Sequence, residues 1–181
     1  NTWGAGYFDL SAHGEAQVNV DFGDHQVVVS IMDIVLGMRA RGLHMPAVLR
    51  IRNLLDHRIK VLNESFALAI EQGGYQNSYR GVFPIKVNQQ CHVIEEIADY
   101  GRHYHHGFEA GSKAELIAAL AYLEDPEAYL VCNGYKDEEF VDLALQAQKM
   151  GIRTIIVLEM PGELKLVLER AARLSVRPRI G

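Results

Sequence analysis

The sequence predicts an α/β fold, and two observations in its second half support that prediction. From Gly81 onward, five short apolar segments alternate with amphipathic ones: VFPIKV, HHGFEA, AYLVCN, RTIIVLE and RPRIG. Four of them close on a polar residue, at intervals of 23, 24 and 26 residues: Lys86, Glu109, Asn133 and Glu159. One strand, one helix and two short connections need about that length, so the pattern predicts repeated βα units.

Before Gly81 the sequence predicts strands and one long helix. GYFDL and AQVNV flank the turn-like SAHGE and predict a β-hairpin, and AVLRIRN is a further strand candidate. From Asn53 to Gln72, apolar residues recur at helical spacing until Gly73-Gly74 ends the pattern. We therefore predict β-domain strands and a lead-in over residues 1–52, and the helix with the βα array over residues 53–181.

The helices of the array have their own start and stop signals. Ser112 and Glu115 in SKAE form a capping box, and Asp125-Pro126 stops the helix that follows. Asp137 is placed to cap the helix EEFVDLALQAQKM. In PGELKLVLERAARL, Pro161 is predicted to lie in the first helical turn.

Consecutive βα units build either an open doubly wound sheet or a (β/α)8 barrel. The sequence contains neither the GxGxxG turn of a dinucleotide-binding sheet nor the GxxxxGK[ST] loop of a nucleotide triphosphate fold. In a barrel, residues at the carboxyl ends of the strands line the mouth of the active site. We therefore predict that residues 53–181 form the first half of a (β/α)8 TIM barrel, with Lys86 at its mouth.

Composition excludes several classes of protein. The chain is 49% hydrophobic and 23% charged, which is typical of a globular protein, and its net charge is −5. Lys and Arg are scattered singly, so we expect no nucleic-acid partner. Cys91 and Cys132 form no zinc-ligand pattern, which favours reduced thiols in a cytoplasmic protein.

The apolar segments are too short to cross a membrane. We also expect the chain to be part of a longer protein. The longest apolar run, Leu116–Leu123, falls short of the ~20 residues that cross a bilayer. We expect neither a membrane span nor a signal peptide. Because the chain begins with Asn1 and stops at RPRIG, we expect it to be an internal piece of a longer protein.

Lys86 is the candidate for chemistry. A lysine amine at the mouth of a barrel, once deprotonated, forms a Schiff base with a carbonyl group. The carbonyl belongs to the substrate in aldolases and to pyridoxal phosphate in another class of enzymes. The residues alone leave both possibilities open.

Three motifs, PIKVNQQ, GFEAGSKAEL and CNGYKD, together with the upstream WGAGYF, closely resemble the biosynthetic arginine decarboxylases. These are pyridoxal-phosphate enzymes of the alanine racemase and ornithine decarboxylase type. The resemblance implies a pyridoxal-phosphate-binding barrel joined to a β-domain. It matches Lys86 to the catalytic lysine that holds the cofactor, and Glu109 to an acidic residue that binds near the cofactor. A glutamate in water, or in a purely structural ion pair, is the alternative for Glu109.

The resemblance also implies an activity and partners. The activity is decarboxylation of L-arginine to agmatine and carbon dioxide, which feeds the biosynthesis of putrescine and spermidine. The expected assembly is a homo-oligomer with its active site at a subunit interface, and the expected metal is Mg²⁺ bound by residues outside this chain. Two alternatives stay open: a decarboxylase of ornithine, lysine or diaminopimelate on the same fold, and a non-catalytic regulatory homologue.

Other polar residues are weaker candidates. Asn133 and Glu159 are placed to line the mouth, but Asn133 precedes Gly134, and a turn is the favoured interpretation. Asn88 is predicted to shape the turn after the lysine strand. The spacing of the histidines in HYHH suits no standard zinc pattern, so we predict no metal site among them: His103, His105 and His106.

Residues 1–181 on their own are expected to be inactive. A complete barrel takes about 250 residues, and the array here has five strands at most. Uncovered apolar helix faces and an unpaired strand edge favour a partly folded state. We predict a broad thermal transition, no stable binding of pyridoxal phosphate and no release of carbon dioxide from arginine. A sharp melt together with a cofactor that borohydride traps on the fragment would contradict this.

Overall fold

The computed structural model describes residues 4, 6–21 and 25–181, and the chain divides into two compact units, residues 1–58 and 59–181. The predicted domain boundary, between residues 52 and 53, lies slightly earlier in the chain. In the motif WGAGYF, Trp3 and Ala5 lie outside the described residues. Among the described residues, no helix combines the length and apolar character that a bilayer crossing requires.

The first unit contains an antiparallel three-stranded sheet in the order β1 (Phe8–Leu10), β2 (Ala16–Asp21) and β3 (Gln26–Ser30). The predicted hairpin is confirmed, because Phe8 pairs with Val18 and Leu10 with Ala16. Helix α1 (Ile31–Ala40) follows directly, and the Ser30 side chain caps it by accepting a hydrogen bond from the Asp33 amide.

The strand predicted for AVLRIRN is wrong. Residues 47–51 are irregular, and α2 (Arg52–Gly73) begins inside the segment; this helix confirms the one predicted from Asn53 to Gln72. A strand needs a partner strand and a buried face, whereas Val48 is 81% exposed. The third strand is instead QVVVS, which the sequence pattern did not single out.

The second unit is built around a parallel sheet. Its four strands are β4 (Val82–Pro84), β5 (Gly107–Ala110), β6 (Tyr129–Cys132) and β7 (Arg153–Ile156). One α-helix follows each strand: α3 (Cys91–Gly101), α4 (Lys113–Tyr122), α5 (Glu138–Lys149) and α6 (Glu163–Leu174). In the segment RPRIG, a single parallel bridge joins Ile180 to Ile156.

Strand order distinguishes a barrel from an open sheet. The order in space, β4-β5-β6-β7, is the order along the chain, whereas a doubly wound sheet reverses its order at a switch point. The predicted fold class is therefore confirmed: an α/β protein with the first half of a (β/α)8 barrel, preceded by strands of a β-domain.

Two of the three predicted helix starts are confirmed. Ser112 accepts a hydrogen bond from the Glu115 amide at 3.3 Å, and Asp137 accepts one from the Phe140 amide at 2.9 Å. The third prediction is wrong, because Pro161 is not in the first turn of α6. The N-cap of α6 is Gly162, and Pro161 lies in the preceding turn, in which the Glu163 amide donates a hydrogen bond to the Met160 carbonyl.

The core of the second unit lies between the sheet and its helices. Strand β5 is buried along its whole length. Large side chains that are fully buried come from both layers: Phe108, Leu130 and Ile156 from the strands, and Leu116, Phe140 and Leu145 from the helices. This packing fixes the positions of the strand ends, where the polar residues lie.

Gly107→Ala is expected to destabilise the parallel sheet. A Cβ atom at residue 107 would lie 1.9 Å from the carbonyl oxygen of Tyr129, at the start of β6, and a backbone oxygen cannot move without separating the strands. Overpacking a core costs about 1–3 kcal/mol, so the urea midpoint of the full-length protein should fall. Gly73→Ala is the control, because its Cβ would meet no atom within 4 Å. Equal midpoints for wild type and Gly107→Ala would contradict this expectation.

Candidate active site

Lys86 lies just beyond a strand rather than within its end. Strand β4 stops at Pro84, and a one-turn 3-10 helix, Ile85–Val87, carries the lysine. Proline has no amide hydrogen to donate to the sheet, which limits the extent of the strand. Ile85 is buried and anchors the turn, while the Lys86 side chain is 63% exposed. The turn therefore presents the amine to the open space above the sheet.

Glu109 is the closest carboxylate to this amine within the described part of the chain. It lies in β5 in register with Pro84, and its Oε1 is 3.6 Å from Lys86 Nζ. The Glu109 side chain is only 9% exposed, which excludes a carboxylate that simply extends into water. Glu109 therefore holds a counter-charge beside the lysine.

Asn133 joins the same cluster. The sequence predicts a turn at Asn133, and the structure adds a contact: its side-chain amide donates a hydrogen bond of 3.0 Å to Glu109 Oε1. Gly134 makes the turn, with φ of +75°, and leaves the Asn133 side chain available for Glu109. The spacing of the strand-end polar residues placed Asn133 near the mouth, but the contact with Glu109 is visible only in the structure.

Glu159 joins two loops at the same edge of the sheet. Its Oε1 accepts a hydrogen bond of 3.0 Å from the Gly134 amide, which is in the loop after β6. Asn88 behaves as predicted, since its Oδ1 accepts a hydrogen bond of 3.2 Å from the Gln90 amide in the turn before α3.

Sequence reasoning missed Glu163 and Lys136. Glu163 opens α6 and accepts backbone hydrogen bonds from Lys136 at 3.0 Å and from Glu159 at 2.8 Å. Burial alone would raise the pKa of the Glu163 carboxyl, but these hydrogen bonds and the Lys136 ammonium outweigh burial and lower that pKa. A glutamate at a first helical position is common, so no local signal distinguished this one.

An open cavity of about 360 Å³ connects Lys86, Glu109 and Asn133. Val82 and Val131 also line it and provide apolar surface. A few polar groups converging on an apolar depression is the usual composition of a small-molecule site.

The three histidines lie elsewhere. They precede the amino end of β5, where His105 Nδ1 is 2.9 Å from Asp125 Oδ2. His106 is buried, and burial lowers the pKa of its imidazole. Residues 4, 6–21 and 25–181 contain no group of three or more His, Cys, Asp or Glu side chains that could hold a metal ion.

A lysine amine beside a buried carboxylate, at the carboxyl edge of a parallel βα array, is an arrangement in which an amine can form a Schiff base with a carbonyl group. Residues 59–181 match the family model described as "Pyridoxal-dependent decarboxylase, pyridoxal binding domain". The chain therefore belongs to the pyridoxal-dependent decarboxylase family, which supports pyridoxal phosphate as its cofactor.

Individual relatives agree with the family model. The chain is 40% identical over 179 residues to a biosynthetic arginine decarboxylase from Prochlorococcus marinus (strain MIT 9303), covering 99% of this chain and 28% of that protein. It is 42% identical, with the same coverage, to one from Gloeobacter violaceus. The predicted resemblance is confirmed. The chain spans just over a quarter of the length of these relatives.

Two solved structures are similar to the chain. The crystal structure of the biosynthetic arginine decarboxylase SpeA from Campylobacter jejuni superposes with a TM-score of 0.88 at 30% identity, over 99% of this chain and 29% of that one. Diaminopimelate decarboxylase from M. jannaschi shares the fold, with a TM-score of 0.65 at 18% identity.

The residues of the cavity fit a pyridoxal-type cofactor. Lys86 supplies an exposed amine that can reach a carbonyl carbon. Glu109 Oε2 is buried and has no hydrogen-bond partner in the structure, so the site contains an acceptor that lacks a donor. The roles of Lys86 and Glu109 toward the cofactor remain predictions.

The two cysteines should differ strongly in reactivity. Cys132, directly before Asn133, is fully buried, and burial raises the pKa of its thiol to about 12, whereas Cys91 is exposed. At pH 8 the Cys132 thiol is therefore protonated and inert. Peptide mass spectrometry after iodoacetamide treatment should show labelling of Cys132 at least about 100-fold slower than that of Cys91. Labelling of both should become comparable in urea, and equal rates without urea would contradict the burial.

Proposed function

We propose that the full-length protein catalyses pyridoxal-phosphate-dependent decarboxylation of L-arginine to agmatine and carbon dioxide. The observation that carries this proposal is the exposed Lys86 amine at the carboxyl edge of the sheet, 3.6 Å from Glu109, in a chain of this family. Arginine as the substrate is supported by relatives named biosynthetic arginine decarboxylase, which are about 40% identical over nearly the whole chain.

The three polar residues of the cavity each have a proposed task. Lys86 would hold the cofactor covalently through Nζ and release it when the substrate amine takes its place. Glu109, whose Oε1 lies 3.6 Å from that nitrogen, would place a carboxylate beside it and offer its unpartnered Oε2 to a donor. Asn133 keeps Glu109 Oε1 oriented. When bound, pyridoxal phosphate supplies the electron sink for the electron pair left by departing carbon dioxide.

The wider setting is also a proposal. The product agmatine would feed putrescine and spermidine biosynthesis in the cytoplasm, with the enzyme acting as a homo-oligomer whose active site lies at a subunit interface. The sequence resemblance supports these points. No cluster of three or more metal-ligating side chains occurs among the described residues, so the part of the chain that the structure describes offers no candidate site for Mg²⁺.

Lys86→Ala in the full-length protein is expected to abolish catalysis and covalent cofactor binding together. Wild-type protein should absorb visible light, and borohydride should trap the cofactor on the peptide that contains Lys86. The variant should show neither property, and its kcat should fall by at least about three orders of magnitude because the amine acts directly on the cofactor. Absorbance, peptide mapping and release of labelled carbon dioxide measure the three effects.

Lys60→Ala is the matched control for this experiment. Lys60 is a half-exposed lysine in α2, 4.0 Å from Glu64, and its removal should leave all three measurements unchanged. A trapped peptide that contains another lysine would overturn the assignment of Lys86. Preferential release of carbon dioxide from ornithine, lysine or diaminopimelate would replace arginine as the substrate, and no release from any of the four would favour a non-catalytic homologue.

A further inference from the structure

A second lysine near the cavity is buried rather than exposed. The side chain of Lys136, in the loop after β6, is 0% exposed, and its Nζ lies 3.6 Å from Oε2 of Glu163, whose side chain is 7% exposed. Lys136 Nζ also lies 5.9 Å from the centre of the Phe140 ring. Burying two charges costs solvation free energy that their attraction does not reliably recover. Such a pair is therefore better explained by the geometry it imposes than by stability alone.

The pair joins the loops that follow two neighbouring strands. Lys136 Nζ donates a hydrogen bond of 2.5 Å to the Gly134 carbonyl, and Glu163 Oε1 accepts one of 3.0 Å from the Lys136 amide. Glu163 Oε2 accepts one of 2.8 Å from the Glu159 amide, in the loop after β7. One carboxylate at the start of α6 thus binds both loops and the ammonium.

The loop held in this way carries Asn133. Asn133 directly precedes Gly134, whose φ of +75° no side chain adopts easily, and a Cβ there would lie 2.3 Å from the Gly111 carbonyl oxygen. The loops after β5 and β6 therefore touch through their backbones. From this loop the Asn133 side chain reaches Glu109 Oε1 at 3.0 Å.

We propose that Lys136 and Glu163 are positioning residues for the cofactor site. They hold the loop of residues 133–136 so that Asn133 keeps Glu109 facing Lys86. Lys136 itself does not reach the cavity, whose lining is Val82, Pro84, Lys86, Glu109, Val131 and Asn133. The inference rests on the proposed function, because it assigns these residues a role in the same site.

The test uses the full-length protein and four variants: Lys136→Met, Glu163→Gln, Asn133→Ala, and Lys136→Met combined with Asn133→Ala. Three quantities are measured: the dissociation constant of pyridoxal phosphate by absorbance titration, the pH dependence of the visible absorbance, and the melting temperature. Lys136→Met and Asn133→Ala should each weaken cofactor binding about tenfold, as expected for loss of one hydrogen bond to a charged group. Both should displace the pH dependence of the absorbance, since Glu109 no longer faces Lys86.

The double variant distinguishes positioning from independent effects. If Lys136 acts through Asn133, the combined variant should bind the cofactor no more weakly than Asn133→Ala alone, because both changes remove the same constraint. Glu163→Gln keeps the size of the side chain and one acceptor oxygen, so it should give a smaller change of the same kind.

Lys113→Met is the matched control. Lys113 also forms a lysine–carboxylate pair at this end of the sheet, 2.8 Å from Asp137 and 2.7 Å from Glu139, but it is exposed. Its removal should leave the dissociation constant and the pH dependence unchanged.

Three outcomes would overturn the proposal. The first is a folded Lys136→Met or Glu163→Gln protein with a lower melting temperature and unchanged cofactor binding. The second is a double variant whose loss is the product of the two single losses. The third is failure of both the Lys136 and Glu163 variants to fold, which would assign the pair a structural role. Cofactor binding requires no arginine, so a protein that binds the cofactor but does not decarboxylate arginine would refute the proposed function and leave this inference intact.

Discussion

Parallel pairing of β4 to β7 in chain order is the constraint on which the candidate site depends. Pro84 is in register with Glu109, and Ala110 is in register with Cys132, so successive strands end at the same edge of the sheet. A side chain at or just past the end of one strand is then within reach of side chains at the end of the next strand. Lys86, Glu109 and Asn133 meet for this reason, although 23 and 24 residues separate them along the chain.

Two lysines at this edge of the sheet, Lys86 and Lys136, differ in burial. The Lys86 side chain is 63% exposed and free to react, whereas that of Lys136 is fully buried and bound to Glu163 and the Gly134 carbonyl. The Lys86 side chain is thus accessible from solvent, whereas the Lys136 ammonium makes fixed contacts within the protein. Under the proposed function, such fixed contacts would keep the Glu109 carboxylate in its position beside the Lys86 amine.

The carboxylates of Glu109 and Glu163 differ in how many of their oxygens are hydrogen-bonded. Glu109 has one oxygen bound by Asn133 and one buried oxygen without a partner, which leaves it ready to accept a ligand. Glu163 uses both oxygens to bind backbone amides, so its charge is fully compensated inside the protein. One carboxylate thus has an oxygen without a hydrogen-bond partner, whereas both oxygens of the other are bound within the protein.

Local features of the sequence predicted much of the fold. The caps Ser112 and Asp137, the hairpin around SAHGE and the long helix near Asn53–Gln72 all depend on neighbours close in sequence, and the structure confirms them. The two wrong predictions concern segments whose structure depends on tertiary contacts rather than on local preference. The AVLRIRN segment has the composition of a strand but no partner strand, and Pro161 lies in a turn before α6.

The sequence by itself determined the repeated βα pattern and the family resemblance, and it predicted Lys86 as the reactive lysine, because apolar periodicity, capping residues and the PIKVN motif are all readable within a few residues. Only the tertiary structure decided that Asn133 contacts Glu109 and that Lys136 is buried against Glu163. Those contacts join residues 24 and 27 positions apart. They depend on strand register and on the packing of α6, which set the distances between side chains and which no local pattern encodes.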